Sequence, residues 1–193
     1  RANTDITTGL GSTTVELYRV TGGVKGDLAT GARTLQWEVV GNFGRSKSRG
    51  RTHELVQQNF LNALAGCTGA GATIQTVGSA CVPFNPFGNQ NTPAVADYMT
   101  AVATPIAVNE QWVVTADVTG KPFATWAGDA AFVLGYEHRD ETANFDPGTY
   151  FYGQVNPANP GGQRAPYGRA APMDPVRGSY HTNEVFGEIQ IPL

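Results

Sequence analysis

Between Tyr18 and Phe43 apolar and polar residues alternate one for one, and this alternation limits the possible folds more than any other feature of the chain. Tyr18, Val20, Gly22, Val24, Gly26 and Leu28 form one series, opposed by Arg19, Thr21, Gly23, Lys25 and Asp27. After ATGART the pattern resumes, with Leu35, Trp37, Val39, Gly41 and Phe43 against Gln36, Glu38, Val40, Asn42 and Gly44. Successive side chains on a strand point to opposite faces, so the stretch predicts a β-hairpin with one apolar and one polar face. Each arm holds the pattern for roughly 9–11 residues, the length of a tilted strand that crosses a bilayer. An ordinary soluble strand is nearer about 5–6 residues. Tyr18, Trp37 and Phe43 stand toward the ends of the apolar series, as in an interfacial aromatic girdle. A long hairpin from a soluble sandwich would carry the same alternation, so the stretch alone leaves both readings open.

The same period returns later in the chain. In QWVVTADVTG, Trp112, Val114, Ala116 and Val118 oppose Gln111, Thr115, Asp117 and Thr119. In DAAFVLGYEHRD, Ala130, Phe132, Leu134 and Tyr136 oppose Asp129, Gly135, Glu137 and Arg139. The chain ends in SYHTNEVFGEIQIPL, where Val185, Gly187, Ile189 and Ile191 oppose Glu184, Glu188 and Gln190. Five strands are expected, near 15–28, 35–48, 109–120, 128–141 and 179–192, each antiparallel to the one before. Hydrophobic content of 40% is low for a tightly packed soluble core, and the 24 glycines suit close backbone approach and a curved sheet. There is no apolar run near 18 residues, which excludes a transmembrane helix. Charged residues make up only 15%, with net charge −3, so no global field favours nucleic acid.

Between the strands the character changes. Residues 1–14 are polar and read as a loop. The basic run RSKSRGRTH (Arg45 to His53) is either a solvated strand end or a patch for anionic headgroups or an anionic ligand. In HELVQQNFLNALAG, Leu55, Phe60, Leu61 and Leu64 fall near helical spacing, with Gly66 as a stop. TPAVADYMTAVA offers Thr92 as N-cap and Pro93 at the first helical position of a second short helix. The Gly-rich segment between Cys67 and Gln90 is too short to bury a core of its own. Residues from about Glu141 to Arg177 are dense in Pro, Gly and Asn and show no periodicity.

The connections therefore run short, long, short, long: about six, sixty, eight and thirty-five residues. Outer-membrane barrels alternate short periplasmic turns with long extracellular loops, whereas a soluble sandwich gives no reason to gather long loops at one end.

In order and spacing, YRVTGGVKGDL, CVPFNPFG with PAVADYMTA, AAFVLGYEHRDETANFDPG and SYHTNEVFGEIQIPL resemble TonB-dependent outer-membrane receptors. The resemblance covers most of the chain and is most specific in FVLGYEHRDE and NEVFGEIQIPL. It implies an all-β fold: a segment of an antiparallel up-and-down transmembrane β-barrel, about five long strands, with short helices in a long extracellular loop. Residues 1–193 would belong to one barrel domain, with outer loops about 49–108 and 142–178 and periplasmic turns about 29–34 and 120–127. The family's plug domain, TonB box and aromatic-ended final strand have no counterpart in these residues. The expectation is thus an interior piece of a barrel of about 22 strands. The implied function is energy-coupled uptake of a scarce bulky ligand, such as a siderophore, cobalamin or oligosaccharide, without chemistry on it. The implied partners are outer-membrane lipid, a TonB-type coupling protein acting through the plug, and the ligand, whose contacts the sequence leaves unknown.

On that reading the lumen-facing polar residues are Arg19, Thr21, Lys25, Glu38, Asn42, Thr115, Asp117, Glu137, Arg139, Glu184 and Glu188. The lipid-facing ones are Tyr18, Val20, Val24, Trp37, Val39, Phe43, Trp112, Val114, Phe132, Leu134, Tyr136, Val185, Ile189 and Ile191. Cys67 and Cys81 fall in an outer loop, where an oxidising envelope permits a disulfide. Two free thiols are the alternative.

A secreted, lectin-like carbohydrate-binding module would share the aromatics and Gly-rich loops. An enzyme is not expected. His53, His138 and His181 lack a metal-ligand spacing such as HExxH, and no phosphate-cradling or nucleophile-elbow motif occurs. The charged cluster Glu137 to Glu141 reads as polar barrel wall, and no cofactor or metal is called for.

Overall fold

The computed structural model describes residues 6, 11–31, 33–68 and 80–193. Strand accounts for 57% of the described residues, and the sheet is mostly antiparallel and not closed, so the protein is all-β with a few short helices. Five long strands follow the expected positions: β1 (Ser12–Thr30), β2 (Arg33–Leu55), β4 (Ile106–Gly120), β7 (Ala131–Asp146) and β8 (Val176–Gln190). They lie in the order β1-β2-β4-β7-β8, so each long strand neighbours the next in sequence. At 15 to 23 residues they are longer than the alternation indicated. Most of the added length falls on the ends next to the long connections, where Ser, Arg and Thr continue an extended backbone without an apolar series to mark it.

By internal contacts the chain divides into two compact units. One consists of residues 16–47, 108–144 and 177–193, the central parts of the long strands. In it the apolar series is in the open. Val20 is 64% exposed, Trp112 55%, Leu134 55%, Val185 76% and Ile189 56%. Among the described residues no second layer lies over them, so the unit is not a sandwich. Side chains touch along each face. Tyr18, Phe43 and Trp112 make an aromatic row across β1, β2 and β4, with ring centres 6.1 and 4.6 Å apart. Trp37 lies over Gly26, where an added Cβ would meet the indole at 3.0 Å. This is the close approach for which glycine is needed in a strand. β4 and β7 are joined by a short ribbon, β5 (Ala124–Thr125) with β6 (Gly128–Asp129), in place of a plain turn.

The second unit consists of residues 1–15, 48–107 and 145–176, and it holds the packed apolar core. Helix α1 (Gln57–Leu64) and helix α2 (Pro93–Met99) pack together, the latter starting at Thr92 and Pro93. Ile6, Ala63, Phe84, Val95, Tyr98 and Met99 form one cluster, and Val56, Ala101, Ala103 and Tyr150 form another. The Gly-rich segment supplies Cys81, Val82 and Phe84 to the first, so it shares a core built by several segments. Residues 69–79 of that segment, and most of the expected N-terminal loop, lie outside the described residues.

Three expectations are corrected here. The second helix ends at Met99, and Thr100–Ala103 instead form β3, which pairs antiparallel with Thr52–Leu55 of β2. Its partner on β2 lies distant in sequence and gave no local signal. In α1 the buried residues are Asn59, Asn62 and Ala63, while Leu61 and Leu64 are exposed. The amides go inside because Tyr98 meets them: Asn59 Nδ2 donates to its carbonyl at 2.7 Å and Asn62 Nδ2 to its hydroxyl at 3.3 Å. The Pro/Gly-rich segment also contains a short helix, α3 (Gly148–Tyr152). Among the described residues no helix is long and apolar enough to cross a membrane.

Tyr150 ties α3 to the end of β2, its hydroxyl donating to the Leu55 carbonyl at 2.7 Å. Burial, then the nearby Glu54 charge, pushes this phenol up to about 12. Folding favours its neutral form, so the stabilisation is complete below the ordinary tyrosine pKa of about 10 and is lost as pH rises through about 12. In an absorbance titration of tyrosinate, Tyr150 is expected to ionise last, and Tyr150→Phe should remove that late component. A Tyr150→Phe titration that overlays the wild type would contradict the assignment.

Candidate functional site

The polar series gathers into a wall of mutually bonded groups in the strand unit. Arg19 Nε donates to Asn42 Oδ1 at 3.0 Å across β1 and β2. Thr115 Oγ1 donates to Glu137 Oε2 at 3.4 Å, and Arg139 bonds Glu137 Oε1 at 2.8 Å. One step along, Gln111 Nε2 donates to Glu141 Oε1 at 2.5 Å, and Tyr180 hydrogen-bonds the same carboxylate. Strand alternation puts these residue types on one face, and cross-strand adjacency then brings each within hydrogen-bond reach of another.

Toward the ends of the strands that lead into the long connections, this wall lines an open groove of 670 Å³. Arg19, Asn42, Gln111, Glu141 and Tyr180 border it, and Leu17 adds an apolar contact. The groove is of a size that holds small-molecule ligands, with a few placed polar groups among apolar surface. Amide, carboxylate, guanidinium and phenol side by side offer both donors and acceptors, which suits a ligand rich in hydroxyl, carbonyl or carboxylate groups. Leu17, Gln111, Glu141 and Tyr180 are absent from the sequence-derived lumen set. Gln111 had been placed on the polar series, but nothing local marked these four as converging from four strands.

The other expected polar residues are not part of this groove. Lys25, Glu38 and Asp117 border a separate cleft of 480 Å³ with Asp27 and Gln36. Thr21, Glu184 and Glu188 border neither. Phe186 falls among the polar series, its ring lying over Gly135 where any Cβ would collide with it. The glycine is the signal that could have revealed this, since a bare backbone opposite an aromatic ring leaves room for it.

On the apolar face the aromatic row is bounded by charge. Arg45 pairs with Glu110 at 3.1 Å, and its guanidinium donates to the Tyr18 hydroxyl at 3.2 Å. At the short-connection end, Arg33 pairs with Asp129 at 3.5 Å and donates to the Lys121 carbonyl at 2.8 Å. The apolar band of β2 thus lies between two sets of charges. In the loop unit, Cys67 and Cys81 are bonded to each other, with Cα atoms 5.7 Å apart. Arg164 stacks 3.9 Å over the Tyr152 ring and bonds Asp174 at 2.8 Å, and that carboxylate holds its guanidinium above the usual arginine range.

No protein-family model, curated protein or solved structure matches the chain.

Proposed function

We propose that the chain is part of an outer-membrane receptor of the TonB-dependent kind, contributing wall, outer loops and lumen lining to energy-coupled import of a scarce ligand. One observation carries this reading. A sheet of strands 15 to 23 residues long leaves most of its apolar face uncovered, while the packed core is built by the long connections. In water such a face would cost about 25 cal/mol for every Å² left exposed. In a bilayer it meets hydrocarbon, with the aromatic row and the Arg45–Glu110 pair at the interface. Among the described residues the outer strands β1 and β8 each keep one edge without a partner strand. Five strands are too few to close, since the smallest barrels have about eight, so further strands would complete the wall. The polar face then lines the lumen, and the groove at its loop-side end is where an entering ligand meets Glu141, Gln111 and Tyr180. A TonB-type protein would supply the energy through a plug.

The test is spin-label accessibility at single cysteines introduced from Tyr18 to Leu28 in the intact protein, reconstituted in lipid. Cys67 and Cys81 are bonded to each other and do not take the label. Oxygen should reach the even-numbered positions and a polar nickel reagent the odd-numbered ones. Even positions that neither reagent reaches would place that face against protein and overturn the proposal. A protein that stays monomeric without detergent, as a lectin-like module would, overturns it as well.

A further inference from the structure

The geometry points to a surface site for a divalent transition-metal ion at His138 and His181, a reading that stands independently of the receptor proposal. The two histidines lie on neighbouring strands, β7 and β8, with ring centres 6.4 Å apart and ring planes 33° from parallel. A metal bound through one nitrogen of each ring sets the ring centres roughly 4.5–6.5 Å apart, given a metal–nitrogen distance of about 2.0–2.1 Å. The pair stands at the upper end of that span, and a turn of one ring would shorten it. His181 is exposed, so its ring can turn toward a shared ion without displacing packed groups.

The surroundings also fix which nitrogen is offered. Asn183 Oδ1 accepts from the Tyr136 hydroxyl at 2.5 Å and lies 2.8 Å from His138 Nδ1. A carbonyl oxygen accepts, so the His138 tautomer with its proton on Nδ1 is the one that completes this contact. In that tautomer Nε2 is the nitrogen that would bind an ion. A metal-binding histidine is oriented in this way, by a second nitrogen that donates to a fixed acceptor. Tyr136 holds the acceptor in turn, so the histidine has a two-residue support.

Imidazole nitrogens select borderline ions, Cu²⁺ most strongly, followed by Ni²⁺ and Zn²⁺. Among the described residues no three His, Cys, Asp or Glu gather into a ligand set, so water would occupy the remaining positions. The ion would therefore be held reversibly, as at an exchange or sensing site, and not locked as a structural centre. Tyr136 belongs to the sequence-derived lipid-facing set, and its hydroxyl bonds Asn183 on that same face.

The experiment is Cu²⁺ titration of the untagged intact protein in detergent micelles, followed by electron paramagnetic resonance. One equivalent should give a spectrum with splitting from two equivalent nitrogens, and excess Zn²⁺ should displace it. His138→Gln and His181→Gln should each leave a one-nitrogen signature and weaken binding at least tenfold. Asn183→Leu, which retains both rings, should weaken it less, by up to about tenfold. His53→Gln should change nothing. Spectra and affinities of His138→Gln and His181→Gln that match the wild type would overturn the assignment, as would a wild-type spectrum without two-nitrogen splitting.

Discussion

Val24→Arg is expected to lower folding stability in a lipid bilayer by about 2–4 kcal/mol, the cost of placing a charge near the middle of the hydrocarbon. Val24 is 62% exposed on the apolar face of β1, so the arginine would displace little packing. If that face were wetted by water, the same substitution would fall within about 0.5 kcal/mol of neutral, as at other exposed sites. The size of the effect therefore reports the medium and not the packing. Phe132→Arg on β7 should behave alike, with an added loss from truncating a half-buried ring. Thr115→Arg is the control. It lies on the polar face beside Glu137, to which an arginine can pair, and should change stability little. Urea unfolding of the protein in lipid vesicles measures all three. Equal effects for Val24→Arg and Thr115→Arg would contradict a lipid-facing β1.

The second large effect is expected in the loop unit. Breaking the Cys67–Cys81 bond frees a span of 14 residues and should cost roughly 3 kcal/mol in the chain-entropy account. The bond follows a helix end that prepares it. Gly66 has φ +71° and Cys67 φ +65°, and the Cys67 amide donates to the Asn62 carbonyl at 2.9 Å. These left-handed residues turn the chain off α1. The other side of the bond leads directly to Phe84, whose amide donates to the Ala63 carbonyl at 2.9 Å. The disulfide thus fastens the segment that delivers Phe84 to the core at α1 and α2. Cys67→Ser and Cys81→Ser should each lower the unfolding midpoint of the loops as much as reduction does, and reductant should not affect the variants further. Limited proteolysis around Phe84 reports the same loosening. A wild-type protein whose proteolysis is unchanged by complete reduction would show that the bond contributes nothing.

The strands were legible because each half-buried or half-wetted strand repeats every two residues, as both arms between Tyr18 and Phe43 do on either side of ATGART. Helix α2 was legible at its start, where Thr92 and Pro93 fit the first turn of a helix, and illegible at its end. Nothing in TAVA distinguishes a last helical turn from an edge strand until Thr52–Leu55 lie beside it. The groove was legible only in part. Arg19 and Asn42 belong to one hairpin and could be paired from alternation alone. Glu141 and Tyr180, on β7 and β8, are separated by the entire Pro/Gly-rich connection.

Sequence by itself determined the class of the protein: all-β, in long strands with an apolar and a polar series, joined by connections that alternate short and long. A period of two is a property of local backbone geometry, so it survives in the sequence whatever surrounds the strand. Tertiary structure alone decided that α1 buries its asparagines against Tyr98, that Phe186 lies over Gly135, and that His138 comes to stand beside His181. Each of these depends on which residue of another strand or helix lies opposite, and that register is set by pairing between segments far apart in the chain.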